Sequence, residues 1–454
     1  MSQYIDFLKT KKDKAFKDYT ISIAPEDTHE CLFPFQKDTV SHLLSCGRAA
    51  AFMDTGLGKT VTQCEFARQI KGEILILAPL AVAQQTVKES SEKLGMDIGY
   101  SKDGTISERV TITNYERVAN FDPSRFEAVI LDESSILKGQ TSKTRKTLTD
   151  MFKLTPFKLA CTATPAPNDY TEIGNHSEFL GIMNQQEMLM RWFLHDSANT
   201  GDWRLKGHAV KPFWQWVASW AACVSKPSDL GYSDDGYDLP PLNIETVIVE
   251  TKTKMGNVDS GMLFEMPDVN ATSLHRKKRE TVTERVAIVA DQVKNSTGPV
   301  IVWCESNQES ELLSKAIPEA VEVKGSDSPD LKESRLVDFS EGRARVLISK
   351  PSICGFGMNW QHCNRMIFAS VSYSYEKFYQ AVRRSWRFGQ TKPVNVTVVV
   401  ADAELQVWRA IEKKSTAHEE MKAHMKLAVF KKGEISSIKT DYNPNHIATL
   451  PSWI

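Results

Sequence analysis

The sequence has no apolar run long enough to cross a membrane, no excess of one charge and no closely paired cysteines. A bilayer-spanning helix needs about 20 apolar residues in succession, and no such run occurs in the 454 residues. The chain carries 56 Lys and Arg and 57 Asp and Glu, a formal net charge of −1, which excludes a strongly basic nucleic-acid coat or an acidic solvating tail. The eight cysteines include no C-x-x-C pair, so we expect reduced, mostly packed thiols.

Repeats, biased segments and a secretory leader are also lacking. No internal repeat of fixed period and no low-complexity tract occurs. Residues 1–17 carry lysines instead of the apolar segment of a signal peptide, so we expect a cytoplasmic protein. The composition, with 41% apolar and 25% charged residues, is ordinary for a folded protein. The length suits about two to three domains of ~150 residues each.

Short apolar runs alternate with helical stretches along most of the chain. This alternation is typical of parallel sheets covered by helices. Helices are predicted at 60–70, 82–94 and 403–427. Strands are predicted at 49–53, 73–78, 109–113, 128–131 and 158–161, and in a second series at 246–249, 300–304, 346–349, 366–369 and 395–400. Each series can form its own sheet, so we expect two tandem α/β domains.

A segment rich in glycine, proline and aspartate separates the two series of strands. We place a linker there, at 231–243, between an N-terminal domain at 1–230 and a C-terminal domain with a helical tail at 244–454. Residues 181–223 depart from the alternation and contain five of the ten tryptophans, so we expect a helical insertion in the first domain. Its aromatic residues are expected to be core, with stacking on nucleic-acid bases as the alternative.

Residues 54–60 read DTGLGKT and stand between an apolar run and a helical pattern. Glycines in this context let backbone N–H groups curl around phosphate oxygens. Lys59 is then expected to neutralise the β and γ phosphates, and the Thr60 hydroxyl to ligate Mg²⁺. The alternative is a glycine-rich turn with an exposed lysine, because Met53 stands where such loops usually have their first glycine.

Residues 129–133 read VILDE, an apolar strand that ends in two carboxylates. Side chains at the carboxyl end of a parallel strand face the crevice in which ligands bind. We predict that Asp132 holds Mg²⁺ and that Glu133 positions and deprotonates an attacking water. Taken alone, the pair also fits a solvated acidic turn.

Residues 380–390 read QAVRRSWRFGQ and place Arg384 and Arg387 three positions apart, on one helical face. A guanidinium binds phosphate oxygens bidentately and stays charged, and a well-placed arginine raises hydrolysis by about a thousandfold or more. A solvated basic helix face is the alternative. The phosphate loop, acidic pair and arginines occur in the order expected of a two-domain nucleotide site, so we predict ATP in a cleft between the domains.

Together with further segments over residues 31–414, these motifs resemble the superfamily 2 helicases, specifically the Swi/Snf-type DNA-translocating ATPases in their compact, bacteriophage-like form. The further segments are FPFQ at 33–36, APL at 78–80, ITNYE at 112–116, TATPAPN at 162–168 and GFGMNW at 355–360. The resemblance implies two tandem RecA-like parallel-sheet domains with a nucleotide cleft between them. It also implies ATP and Mg²⁺ as cofactors and a bacterial or phage-infected cytoplasm as the location.

The resemblance implies a role for each matching residue. Those expected to bind the nucleotide are Gln36, Thr55, Gly56, Leu57, Gly58, Lys59, Thr60 and Gly357. Those expected to hold Mg²⁺ are Thr60 and Asp132. Those expected to act in catalysis are Glu133, Gln380, Arg384 and Arg387. Those expected to contact nucleic acid or to couple hydrolysis to movement are Pro79, Thr113, Thr162, Thr164 and Asn359.

Some positions depart from the family's pattern. Ser134 and Ser135 stand where the family usually has Ala-His, so a side chain that links the nucleotide to the coupling segment is changed. Ala163 and Pro167 replace a glycine and a glutamine of the coupling segment. The predicted partner is nucleic acid, foremost double-stranded DNA, with no membrane. Two other functions remain open: a strand-separating DNA or RNA helicase, and a nucleic-acid-binding scaffold gated by ATP.

Overall fold

The computed structural model covers residues 19–138, 142–195, 203–250, 278–354 and 359–429, which form two α/β lobes. Lobe 1 is built on a seven-stranded sheet and lobe 2 on a six-stranded sheet. All strand pairs within these two sheets are parallel. The predicted fold class of two tandem RecA-like parallel-sheet domains is confirmed.

The strands of lobe 1 are continuous apolar runs because helices cover both faces of the sheet. Across the sheet they follow the order β3, β4, β2, β5, β6, β1, β9. Their bounds are β1 (Arg48–Met53), β2 (Glu73–Ala78), β3 (Gly99–Tyr100), β4 (Val110–Asn114), β5 (Phe126–Asp132), β6 (Phe157–Cys161) and β9 (Ala221–Val224). The helices of this lobe are α1 (Pro34–Cys46), α2 (Lys59–Gln69), α3 (Leu80–Leu94), α4 (Lys143–Met151), α5 (Ile173–Leu180), α6 (Gln185–Trp192) and α7 (Val210–Ala218).

Lobe 2 repeats the architecture with the strand order β10, β15, β14, β11, β13, β12. Its strands are β10 (Leu242–Val249), β11 (Val300–Trp303), β12 (Val321–Val323), β13 (Val346–Ser349), β14 (Arg365–Phe368) and β15 (Val394–Ala401). Its helices are α8 (Val282–Lys294), α9 (Asn307–Ala316), α10 (Pro329–Ser340), α11 (Pro351–Cys354), α12 (Tyr375–Val382) and α13 (Leu405–Val429).

Helix α13 belongs to both lobes. Near its start, Trp408 and Ile411 pack in the core of lobe 2. Near its end, Met421 and Met425 pack in the core of lobe 1, where the helix lies against α7. Burying apolar side chains in two cores ties the lobes together.

The Trp-rich segment contains more than helices. An antiparallel hairpin, β7 (Phe193–His195) with β8 (Trp203–Leu205), precedes α7, and β9 then adds an edge strand to the sheet of lobe 1. Trp192, Trp214 and Trp220 are buried in the core, as expected for packing aromatics. The segment thus contains two helices, α6 and α7, together with strands that the sequence did not predict. Strand β10 begins at Leu242, inside the segment predicted as linker.

Candidate nucleotide-binding site

The phosphate loop joins β1 to α2, and its backbone adopts conformations that only glycine takes readily. Gly56 has φ 95° and Gly58, the residue before α2, has φ 78°. A Cβ at Gly58 would collide with Nε2 of Gln36, and one at Gly56 would come within 3.1 Å of Phe388. The first turn of α2 starts at Lys59, so its free N–H groups and its partial positive charge face the loop.

Gln36 lies against this loop. Its Nε2 donates to the carbonyl of Leu57 at 2.9 Å, and its Oε1 accepts from the N–H of Phe33 at 2.9 Å. Gln36 and Leu57 are 21 positions apart in the sequence, and no local pattern predicts their contact. The side chain therefore contacts both the phosphate loop and the segment before α1.

Aromatic rings from three segments gather beside Gln36. Phe33 is 51% exposed, and its ring centroid lies 6.2 Å from that of Tyr237, in the segment between the lobes. The Tyr237 ring lies 4.7 Å from that of Phe388, which belongs to lobe 2 and packs over Gly56. An exposed aromatic face beside a glutamine amide suits the stacking of a base.

The acidic pair at the end of β5 faces the phosphate loop. Lys59 Nζ lies 3.5 Å from Glu133 Oε1, and Glu133 has φ 53°. Strained backbone of this kind concentrates at functional sites. Burial, and then the neighbouring Glu133, raise the pKa of Asp132 to about 6. A cation bound here would offset both effects, so the pair is suited to a divalent metal and a triphosphate.

A series of hydrogen bonds leads from Ser134, the residue that follows the acidic pair, towards lobe 2. Ser134 Oγ lies 3.1 Å from Nε2 of the buried His176, whose Nδ1 lies 3.4 Å from the carbonyl of Glu172. Burial lowers the pKa of His176 to about 4, so the ring is neutral. The Glu172 carboxylate accepts from Asn168 at 3.0 and 2.9 Å, and Lys414 of α13 donates to Asn168 Oδ1 at 2.8 Å. The acidic loop thus connects to lobe 2.

Lobe 2 reaches the phosphate loop at Asp54. Arg383 Nη2 lies 2.6 Å from Asp54 Oδ2, and the Tyr379 hydroxyl donates to Oδ1. Lys422 of α13 lies 3.1 Å from the same Oδ2. These contacts span more than 300 residues of sequence, and none of the three donors was predicted as a contact of the phosphate loop.

The predicted arginines themselves make contacts inside lobe 2. Arg384 is buried, and its Nε donates to the carbonyl of Gln380 at 3.3 Å. Arg387 donates to Oδ1 of Asn359, which brings two predicted residues together. The arginine that touches the phosphate loop is their neighbour, Arg383. Gln380 is buried on α12, and the roles assigned to Gln380, Arg384 and Arg387 stay predictions.

The predicted nucleic-acid and coupling residues have different surroundings. Pro79 directly precedes α3 and is half-buried. Thr113 is fully buried and donates its hydroxyl to the carbonyl of Ser101 at 2.8 Å, and its predicted contact with nucleic acid stays a prediction. Thr162 and Thr164 are buried, and Thr162 Oγ1 accepts from the N–H of Thr164 at 3.1 Å. Gly357 lies outside the described residues.

In the part of the chain that the structure describes, no helix is both long enough and apolar enough to span a bilayer. The two parallel-sheet lobes, the phosphate loop and the lysine–carboxylate pair facing it define a nucleoside-triphosphate-hydrolysing motor.

Comparison with known proteins narrows this class. A family model described as "Type III restriction enzyme, res subunit" matches residues 32–167, and one described as "Helicase conserved C-terminal domain" matches residues 277–389. The two matches follow the order of the lobes. The chain is a superfamily 2 helicase and a nucleic-acid-dependent ATP hydrolase.

Relatives of low identity support this placement. Protein p41 of Acyrthosiphon pisum secondary endosymbiont phage 1 is 23% identical over 444 residues, covering 81% of this chain and 92% of that protein. The ATP-dependent helicase YqhH of Bacillus subtilis is 23% identical over 402 residues, covering 77% and 71%. The DNA annealing helicase and endonuclease ZRANB3 of Mus musculus is 22% identical over 464 residues, covering 88% of this chain but 41% of that protein.

Proposed function

We propose that this protein is a Swi/Snf-type translocase that couples Mg²⁺-dependent ATP hydrolysis to movement along double-stranded DNA in the cytoplasm. The main support is the contact of lobe 2 with the phosphate loop through Asp54 and Arg383, because a motor of this kind works by closing two lobes on one nucleotide. The arginine motif favours the Swi/Snf type, and the similarity to ZRANB3, named as a DNA annealing helicase, favours DNA.

Each predicted site residue of lobe 1 has a defined task in this proposal. Lys59 binds the β and γ phosphates, and Thr60 and Asp132 hold Mg²⁺. When bound, Mg²⁺ neutralises charge on the β and γ phosphates. Glu133 orients water and takes its proton, and Gln36 recognises the base beside the exposed aromatic rings.

Lobe 2 completes the charge neutralisation. Arg384 and Arg387 approach the γ phosphate when the lobes close around ATP. We expect Arg384→Ala to lower the turnover number by at least about a hundredfold with less effect on ATP affinity. Steady-state ATPase assays on DNA check this, with Arg409→Ala as the control because Arg409 is an exposed arginine of the same lobe. Turnover that survives Arg384→Ala contradicts the shared site.

The function is tested by ATP turnover with single-stranded DNA, duplex DNA, forked DNA and RNA as separate activators. We expect duplex DNA to stimulate most and to support displacement of a third strand from a DNA triplex. Stimulation by RNA but not by duplex DNA contradicts the proposal. Repeated turnovers per protein exclude the ATP-gated scaffold.

A strand-separating helicase is the second candidate because of the β7–β8 hairpin. No hairpin was predicted from the sequence; the observed one carries Leu194 at 47% exposure and a Trp203 ring 5.0 Å from that of His195. Exposed apolar side chains on such a strand pair can act as a wedge between nucleic-acid strands. Unwinding of a forked duplex that is lost in Leu194→Ser, with ATPase retained, favours this candidate over translocation alone.

A further inference from the structure

Asp54 is a buried carboxylate built into the backbone of the phosphate loop. Its N–H donates to the carbonyl of Val224 in β9 at 2.9 Å, and its Oδ1 accepts from the N–H of Thr55 at 3.0 Å. The carbonyl of Asp54 accepts from the N–H of Leu57 at 3.4 Å. The carboxylate is therefore tied to the backbone of the predicted phosphate loop.

Every side chain that donates to this carboxylate in the described structure comes from the second half of the chain. Arg383 and Tyr379 lie at the end of α12, where the N–H of Arg383 donates to the Tyr379 carbonyl at 2.9 Å. Lys422 lies on α13. One carboxylate of lobe 1 thus binds side chains from two separate elements, α12 and α13.

The electrostatics make this contact strong. Burial alone would raise the pKa of Asp54, but Arg383 and Lys422 outweigh burial and lower the pKa well below its usual range. Arg383 is itself only 4% exposed. Loss of the carboxylate would leave two cations together in a poorly hydrated site, and they would then be driven away from the loop.

The position of Arg383 links its contact with Asp54 to the predicted catalytic arginine. Arg384 follows it directly, so holding Arg383 against the phosphate loop fixes the backbone that carries the predicted catalytic arginine. Residues of the coupling segment lie beside the same contact, because Ala163 and Pro165 line one cavity with Asp54 and Lys422. The contact therefore lies where the phosphate loop, the coupling segment and α13 meet.

We infer that Asp54 is a positioning residue for ATP hydrolysis, whose carboxylate anchors Arg383 and Lys422 and thereby sets Arg384 against the phosphate loop when the lobes close. This inference rests on the proposed role of Arg384. Asp54 acts through the arginine motif and does not itself touch the nucleotide. Its effect belongs to the chemical step more than to ATP binding.

Two substitutions break the contact from opposite sides. Asp54→Asn removes the negative charge at nearly constant volume, and Lys422→Met removes one cation while keeping the apolar stem. We expect each to lower kcat by about tenfold or more with KM for ATP within about threefold. The double variant should lose about as much as either single variant, because both changes break the same contact.

Lys426→Met is the matched control. Lys426 stands one turn further along α13 and also pairs across the lobes, with Nζ 2.9 Å from Oδ1 of the buried Asp229. Asp229 is not part of the phosphate loop. We expect the control to keep kcat within about twofold, because it leaves the Asp54 contact intact.

The 454-residue chain is assayed for ATP turnover on duplex DNA, with thermal unfolding measured in parallel. Equal losses of kcat in Lys422→Met and Lys426→Met would overturn the inference, since they would reflect general docking of α13. A lowered unfolding midpoint with unchanged kcat in both Asp54→Asn and Lys422→Met would also overturn it. If Asp54→Asn does not fold, Lys422→Met against Lys426→Met decides.

The proposed function and this inference fail in different ways. Absence of ATP turnover in the unsubstituted protein refutes the function, and the inference with it. An active protein in which Arg384→Ala abolishes turnover but Asp54→Asn and Lys422→Met leave kcat unchanged refutes the inference alone.

Discussion

At the scale of single residues, the lysine and the glutamate that face each other in lobe 1 have separable tasks. Lys59→Ala should weaken ATP binding because it removes the lysine of the phosphate loop, whereas Glu133→Gln should keep binding and stop hydrolysis because the amide cannot take a proton. Fluorescent-nucleotide binding and ATPase assays separate the two. Glu108→Gln, at an exposed position, is the control, and hydrolysis that persists in Glu133→Gln contradicts the assignment.

A buried histidine beside the Asp54 contact makes stability depend on pH. Burial, and then Lys422, lower the pKa of His418 to about 3, and neither ring nitrogen has a hydrogen-bond partner among the described residues. In the unfolded chain the same ring takes up a proton below about pH 6.5. The folded protein therefore loses stability as pH falls from about 6.5 towards 3, by up to about 1.4 kcal/mol per pH unit for this group.

His418→Phe should reduce that pH dependence, since a phenyl ring keeps the packing against Tyr375 and Tyr379 but cannot be protonated. The check is the unfolding midpoint between pH 7 and pH 5, in the variant and in the unsubstituted protein. Identical slopes would exclude His418 as the source. The titratable and charged groups around the ring are Asp54 of the phosphate loop, Tyr375, Tyr379 and Arg383 at α12, and Lys422 on its own helix.

At the scale of elements, α13 is held by apolar side chains as well as by charges. Met421 is 1% exposed in the core of lobe 1. Met421→Ala should lower the free energy of unfolding by about 2–5 kcal/mol, because it removes buried methylene groups and leaves a cavity. Met190→Ala is the control, since Met190 is 75% exposed and should change stability by less than ~0.5 kcal/mol. Denaturant titration checks both, and equal effects would show that α13 is not docked in solution.

The elements that sequence predicts best are those with local signals. The phosphate loop and the acidic pair are each made of consecutive residues. The loop joins a strand to a helix and the pair stands at the end of a strand, as the sequence predicts. β2 and β13 match their predicted bounds because they are short, mostly apolar runs, EILILA and VLIS, bounded by polar and turn residues. β9 was missed because its four residues, AACV, follow a tryptophan-rich helix without any alternation.

Contacts between distant segments leave no such signal. Nothing near Asp54 in sequence indicates that Tyr379 and Lys422, 325 and 368 residues away, donate to it. A doublet of arginines predicts a phosphate-binding helix, but it does not tell which arginine faces the loop; in the folded chain that is Arg383. The helical pattern of α13 predicted an amphipathic helix without showing that it enters the core of the other lobe.

At the scale of the whole molecule, the balance of charges shapes the expected interaction with DNA. A protein of net charge −1 must grip phosphates through local basic surfaces, so its affinity should depend on salt. We expect the dissociation constant for a duplex to rise steeply between 50 and 200 mM salt, by about a thousandfold if ~6 phosphates are contacted. Fluorescence anisotropy on two unrelated duplexes of equal length checks this. A flat salt response, or a strong preference for one sequence, contradicts backbone recognition.

The sharing of α13 between two cores also affects how the protein is made. Met421 and Met425 complete the interior of lobe 1, yet all of lobe 2 is synthesised before them. While the ribosome is still translating lobe 2, the apolar surface that α13 will cover is open to solvent. Nascent chains at that stage should therefore be substrates for holding chaperones, and slow translation of lobe 2 should promote aggregation rather than productive folding.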